Sequence, residues 1–420
     1  MPLKPQKENN SLSTNYYLLT VMKTFVKGFV SAAAAIVLMA ACTDQKPATT
    51  TELTVSGLDP EQFIDTINGK ATALYTLTNA NGMEVCITNF GGRVVSIMVP
   101  DREGNLKDVV LGYDNVQQYA DRENSPSDYG ASIGRYANRI SKHSFTIGEE
   151  TFELVPNDGD NCLHGGPTGW QYQVYDAEQV DGQTLKLTIV SPDGDNGFPG
   201  EVTAVTTYTL TDDNVLDITW EATTDKETVI NQTNHCYFNL NGDPSRVGTN
   251  MVLYVNADNF TPSDIYYIPT GEIAPVEGTP FDFREPRVLE EVVNDTTFQQ
   301  IANATGIDHN FCLNTYDMDT YRGDDSQVAA SLYSPETGIF LEVFTNEPGI
   351  QVYTGNFQGV GRDADIARKH GIKYPKHVSV CLESQKYPDS PHFAGENWPS
   401  ANLKPGDTYF SHCAYKFSIR

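Results

Sequence analysis

Hydrophobic and polar residues alternate along most of this chain. Tyr75 and Leu77 alternate with threonines, Asn81-Gly82 follows, and Met83, Val85 and Ile87 alternate again; this predicts a hairpin with a tight turn. Leu185, Leu187 and Ile189 repeat after Asp181-Gly182. Leu216, Ile218, Trp220 and Ala222 fall on one face of a strand, with Asp217, Thr219 and Glu221 on the other. Ile339, Leu341 and Val343 alternate near the end. Helical periodicity is scarce, and only residues 115–119 and 288–297 read as short helical turns. There is no repeat period and no strand–helix–strand rhythm. Residues 59–420 are therefore expected to form one all-β domain, a large antiparallel β-sandwich.

The N-terminal pattern differs. Lys23 and Lys27 supply a basic start, and residues 29–41 are almost all apolar and end in small side chains. That run is short for a bilayer span and has the flanks of a secretory signal. Its end, Leu38-Met39-Ala40-Ala41-Cys42, resembles a bacterial lipobox, after which the cysteine is lipidated. Residues 1–42 are thus expected to be an upstream extension plus a lipoprotein signal peptide, with residues 1–21 preceding a second candidate start at Met22. Residues 43–58 are polar and read as a tether. The expectation is an exported protein held to the membrane of the bacterial cell envelope through lipid on Cys42.

Charge narrows the partners. A formal net charge of −27 repels phosphates, which argues against nucleic acid and against sugar-phosphate substrates. No protein partner is evident. Besides Cys42 there are six cysteines, Cys86, Cys162, Cys236, Cys312, Cys381 and Cys413, without CxxC or other metal-ligand spacing. Buried free thiols are favoured over a disulfide framework, although an exported chain permits disulfides.

Three segments carry candidate chemistry. His164 precedes Gly165-Gly166, whose backbone freedom lets an imidazole and a ligand approach a pocket wall closely. His235 stands between polar Asn234 and apolar Tyr237-Phe238, at the end of a buried strand. Glu383 interrupts the apolar run Val378-Ser379-Val380-Cys381-Leu382; a carboxylate there needs partners or a raised pKa. Two imidazoles and a carboxylate suit general acid–base catalysis. His143, His370, His392 and His412 read as packing or surface residues.

Eight motifs, spanning residues 134–389 in order, resemble the aldose 1-epimerase (galactose mutarotase) family. They include Gly134-Arg135-Tyr136-Ala137-Asn138-Arg139-Ile140, Asn161-Cys162-Leu163-His164-Gly165-Gly166, the loop from Asp193 to Gly200, and Thr233-Asn234-His235-Cys236-Tyr237-Phe238. Pro269-Thr270-Gly271-Glu272, Gly306-Ile307-Asp308-His309, Pro348-Gly349-Ile350-Gln351 and Cys381-Leu382-Glu383-Ser384-Gln385 complete the set. The resemblance implies the family's large sandwich and interconversion of α and β anomers of free aldoses. It implies Glu383 as the base at the anomeric C1 hydroxyl and His235 as the acid at the ring oxygen. His164, Asn138, Arg139, Asp308 and Gln351 are implied to bind the free monosaccharide, with no metal or organic cofactor. Arg139 is alternatively an ion-pair partner of Asp308, and Gln351 a sheet-surface amide. A hexose-phosphate epimerase, a carbohydrate-binding protein without catalysis, and a glycoside hydrolase using Asp308 and Glu383 remain competing readings.

Overall fold

A nine-stranded and a six-stranded antiparallel sheet pack face to face. The large sheet runs in the order Asp176–Gln179, Thr184–Ser191, Val202–Leu210, Val215–Thr224, Tyr409–Ile419, Ile339–Thr345, Ala330–Tyr333, Val252–Val255 and Arg287–Val288. The smaller runs Tyr237–Phe238, Val380–Gln385, Gly349–Tyr353, Asp308–Cys312, Asn259–Phe260 and Ala274–Pro275. A four-stranded sheet, from Leu74–Thr78 to Leu106–Asp108, adds to the architecture. The computed structural model describes residues 52–395 and 397–420. The signal segment, Cys42 and the first part of the tether lie outside the described residues. Among the described residues no helix is long and apolar enough to cross a membrane.

The expected strands are present. Leu216, Ile218, Trp220 and Ala222 are buried along Val215–Thr224, as period-two alternation requires. Tyr75 pairs with Ile87 and Leu77 with Val85 in the first hairpin. Its turn is longer than the tight turn expected at Asn81-Gly82, because Asn79 Oδ1 accepts from the backbone N–H groups of Asn81 and Met83 and closes a five-residue loop. Packing also starts inside the stretch read as a tether. Val55 N–H donates to the Glu84 carboxylate and Leu58 is buried, so residues 54–58 are held by one capped turn and one core side chain. Short helices occur at Val116–Ala120 and Gln299–Ala304, and residues 289–291 make a 3₁₀ turn. The six cysteines are free and buried.

The two sheets meet through aromatic contacts. Phe238 lies 5.0 Å from Tyr415, edge to face, and the Tyr415 hydroxyl donates to the Leu382 carbonyl. On the strand Val380–Gln385, Val380 and Leu382 join this core. Alternation then sends Cys381, Glu383 and Gln385 to the opposite face. The same rule puts Ile350 and Val352 in the core and turns Gln351 and Tyr353 outward with Glu383. Truncating Phe238 to Ala leaves a cavity between the sheets; urea unfolding should show a loss of about 3–5 kcal/mol. A loss under about 1 kcal/mol would contradict a closely packed interface.

Candidate active site

The outward face of the six-stranded sheet forms the floor of a cavity of about 120 Å³. Glu383 projects from its strand directly beside Gln351, its cross-strand partner. Asp308 lies one strand further on, paired with Tyr353. His235 ends the strand Thr233–His235, which is paired with Ala131–Ile133. Two residues on, Tyr237 stacks on its imidazole at 4.8 Å. His164 follows the strand Cys162–Leu163 and enters from the side with φ +50°. Gly165 is required there: a Cβ would meet the Gly134 carbonyl oxygen at 2.2 Å.

These elements bring the three candidate acid–base groups together. One ring nitrogen of His164, one of His235 and a Glu383 oxygen lie within 4.8 Å of one another. His235 Nε2 is 3.5 Å from Glu383 Oε2, a contact longer than a good hydrogen bond. The two imidazoles meet edge to face with centroids 5.3 Å apart.

Two histidines and a carboxylate also resemble a metal triad, so the tautomers matter. The Asn138 backbone N–H donates to His164 Nδ1 at 3.1 Å, and the His164 backbone N–H donates back to the Asn138 carbonyl. A neutral imidazole has one lone pair and one proton on its nitrogens. With the Nδ1 lone pair occupied, Nε2 carries the proton and is a donor, which a metal ligand cannot be. The trio is therefore built for hydrogen bonding and proton transfer.

Burial sets the charges. It pushes Glu383 well above the usual carboxylate range; Asp308 and Asp128 add to the rise and Arg139 opposes it. Burial pulls His164 down to about 3, helped by Arg139. It also pulls His235 down to about 3, helped by His164 and opposed by Asp128. Asp308 is raised by burial too, against the pull of Arg139 and of the Gln351 amide.

The candidate binding residues divide. Asn138, Arg139, His164 and Asp308 line the cavity. Gln351 reaches it through Asp308: its Nε2 donates to Asp308 Oδ1 at 2.7 Å. Arg139 pairs with Asp158 rather than with Asp308, Nε to Oδ2 at 2.7 Å, and its guanidinium lies over the Tyr267 ring. The neighbouring Arg135 is structural, since it donates to the carbonyls of Pro199 and Gly200 and anchors that loop. Asp128, Leu163, Tyr237, Tyr353 and Phe357 also line the cavity and were not singled out in the sequence. Period-two spacing from His235 and Gln351 points to Tyr237 and Tyr353. Asp128 sits in an irregular loop and leaves no such signal; its Oδ1 is buried without a hydrogen-bond partner among the described residues. Arg139 is the one Lys or Arg among the lining residues, against three carboxylates, which disfavours a phosphorylated ligand.

A buried carboxyl group beside two neutral imidazoles, on the outward face of the smaller sheet of a large antiparallel sandwich, defines an acid–base site. The sequence pattern of the aldose 1-epimerase family matches residues 73–416, and this chain belongs to that family. It is 37% identical over 360 residues to galactose mutarotase of Sus scrofa, covering 85% of this chain and 97% of that protein. It is 36% identical over 351 residues to aldose 1-epimerase of Escherichia coli K12, covering 83% and 96%. The solved galactose 1-epimerase of Lactobacillus acidophilus superposes with a TM-score of 0.71 at 29% identity, covering 84% and 97%. A solved aldose epimerase homologue from C. elegans gives 0.73 at 28% identity, covering 83% and 99%.

Because the folded state holds the Glu383 proton more tightly than the unfolded chain, stability attached to this group falls as pH rises from the ordinary carboxylate range through the raised native value. Glu383→Gln removes that titration. The variant should melt higher than the parent at neutral and alkaline pH, and the gap should close at acid pH. Thermal unfolding across a pH series reads this; a gap that is constant with pH would show that the carboxyl is not destabilised by burial.

Proposed function

We propose that the protein interconverts the α and β anomers of free aldohexoses such as glucose and galactose, with Glu383 and His235 as the proton-transfer pair. The observation that carries this is the buried contact between His235 Nε2 and Glu383 Oε2. Mutarotation needs a base at the C1 hydroxyl and an acid at the ring oxygen, and both oxygens are bonded to the same carbon. Groups on adjacent strands whose reactive atoms lie within 4.8 Å match that demand.

The pair needs one proton in total. With Glu383 ionised and His235 protonated, the carboxylate takes the C1 proton, the imidazolium protonates the ring oxygen, and the C1–O5 bond breaks. The open aldehyde turns about C1–C2. Glu383 now holds the proton, His235 is neutral, and the two return their protons in reverse as the ring closes on the other face. Both arrangements carry the same net charge, so their pKa values belong to the pair. Burial favours the uncharged arrangement, and Arg139 favours an ionised Glu383. His164, with its proton on Nε2, supplies a fixed donor at the same point. Asn138, Arg139 and Asp308 hold ring hydroxyls, with Gln351 orienting Asp308.

Polarimetry of freshly dissolved α-glucose and α-galactose tests the reading. Glu383→Gln and His235→Asn should each lower turnover by about 10²-fold or more while sugar affinity is kept. Arg139→Ala should mainly raise the Michaelis constant. A chelator should leave the rate unchanged. Activity should fall on the alkaline side, at a pH above the ordinary glutamate range, where the pair loses its one proton, and on the acid side toward the lowered histidine value of about 3, where it takes a second. Full turnover by Glu383→Gln would remove Glu383 as the base.

The second part of the proposal concerns location. The basic start at Lys23 and Lys27, the apolar residues 29–41 and the lipobox-like end at Cys42 support an exported, lipid-anchored protein. Acylated protein should sediment with membranes, and Cys42→Ala should release it or block signal cleavage. Wild-type protein found entirely in the soluble fraction would overturn the anchor.

A further inference from the structure

His235 has an end that the proton transfer does not use. Its Nε2 faces Glu383, while its Nδ1 is buried and has no hydrogen-bond partner among the described residues. Nδ1 carries a proton in both arrangements of the pair. In the uncharged one, the acid proton of Glu383 needs the lone pair on Nε2, so the ring's own proton sits on Nδ1. In the charged one, the imidazolium is protonated on both nitrogens. A buried donor is therefore present throughout, and a buried donor calls for an acceptor.

Packing leaves the orientation of the ring open. Tyr237 stacks on it, the two planes 16° apart, and His164 meets it edge to face. A half turn about Cβ–Cγ keeps the stacked plane. It also exchanges Nδ1 with Cδ2 and Nε2 with Cε1, which takes Nε2 away from Glu383. Stacking cannot tell the two orientations apart; a hydrogen bond at Nδ1 can.

Three carboxyl groups line the cavity. Glu383 stands at Nε2, and Asp308 accepts from the Gln351 amide. Asp128 is left, and its Oδ1, like His235 Nδ1, is buried and unpartnered among the described residues. Its position is built. Ala131 stands opposite His235 in the paired strands, three residues after Asp128. The Gly130 N–H donates to the His235 carbonyl, and the Ala131 N–H to the Asp128 carbonyl. The fully buried Arg93 guanidinium donates to the carbonyls of Ser127 and Tyr129. A buried arginine thus fixes the backbone on both sides of this carboxylate. The charges agree with the geometry. Burial, and after it His164 and Arg93, disfavour a charged His235 ring, while Asp128 and the ring's own backbone carbonyl oppose them.

We propose that Asp128 is a positioning residue for His235: through one bridging water it accepts from Nδ1, holds Nε2 toward Glu383, and supplies the negative charge that favours the imidazolium. No direct hydrogen bond joins the two atoms, and a water between them would meet one donor and one acceptor of the same polar cavity. The effect on turnover rests on the epimerase reading; the effect on His235 does not.

Nitrogen-15 NMR of histidine-labelled protein tests the second effect, with the His235 signals assigned by their absence from His235→Asn. The parent should carry the proton on Nδ1. A proton on Nε2 with a bare Nδ1 would overturn the proposal. Asp128→Asn keeps the shape and removes the charge. In that variant the pH at which the same signals report loss of the pair's proton should fall by about 0.5 pH unit or more. Polarimetry with freshly dissolved α-glucose tests the first effect. Asp128→Asn should lower turnover about 10-fold, keep the Michaelis constant within about 2-fold, and move the alkaline limb to lower pH. Asp128→Glu, which restores the charge, should return that limb toward the parent's. A limb and an NMR titration that stay in place in Asp128→Asn overturn the proposal, as does a raised Michaelis constant with turnover unchanged, which would make Asp128 a sugar ligand. If the parent converts no aldose, the epimerase reading falls, and the NMR titration still decides what Asp128 does to His235.

Discussion

One carboxylate must stay out of water, and much of the structure follows from that. Glu383 is raised because the strand that carries it is buried on both faces: Val380 and Leu382 pack toward the large sheet, and the cavity closes over the other side. An isolated buried carboxylate would simply stay protonated. Here an imidazole stands 3.5 Å away, and Arg139 opposes the rise. On the other face of that strand an aromatic seam, where Phe238, Tyr415 and Phe417 meet, joins the two sheets.

Much of this is legible in the sequence, because sheet chemistry is periodic. Alternation around Leu216 and Leu341 predicts strands buried on one face, and the strands form there. A glutamate in an apolar run and a histidine before two glycines are local contradictions, and local contradictions tend to be functional. What the sequence hides is non-periodic. Asp128 comes from an irregular loop and reaches the cavity only through tertiary folding. The pairing of Arg139 with Asp158 instead of Asp308 depends on how the 157–161 turn folds back, which spacing does not encode. Residues 54–58 look like tether because three of the five are Thr, Ser or Gly; a single buried leucine and a backbone donor to Glu84 decide otherwise.

Neighbouring residues of one motif also serve different ends. Arg135 and Arg139 stand four residues apart, yet the first is spent on loop carbonyls and the second faces the cavity. The histidines divide in the same way. His412 bridges Asp217 and Asp325, and its partners raise its pKa, whereas His164 and His235 are pulled down by burial. Residue type alone therefore says little here; the number and sign of the groups around each side chain decide its state.

The last strand, Tyr409–Ile419, lies in the interior of the nine-stranded sheet, between Val215–Thr224 and Ile339–Thr345. A growing chain therefore cannot complete this sheet from its N-terminal end. Until residues 409–419 emerge from the ribosome, the two halves of the sheet expose facing edges with no strand between them. Synthesis and folding are thus separated in time. A product truncated before residue 409 would present two unpaired edges rather than a smaller version of the same molecule.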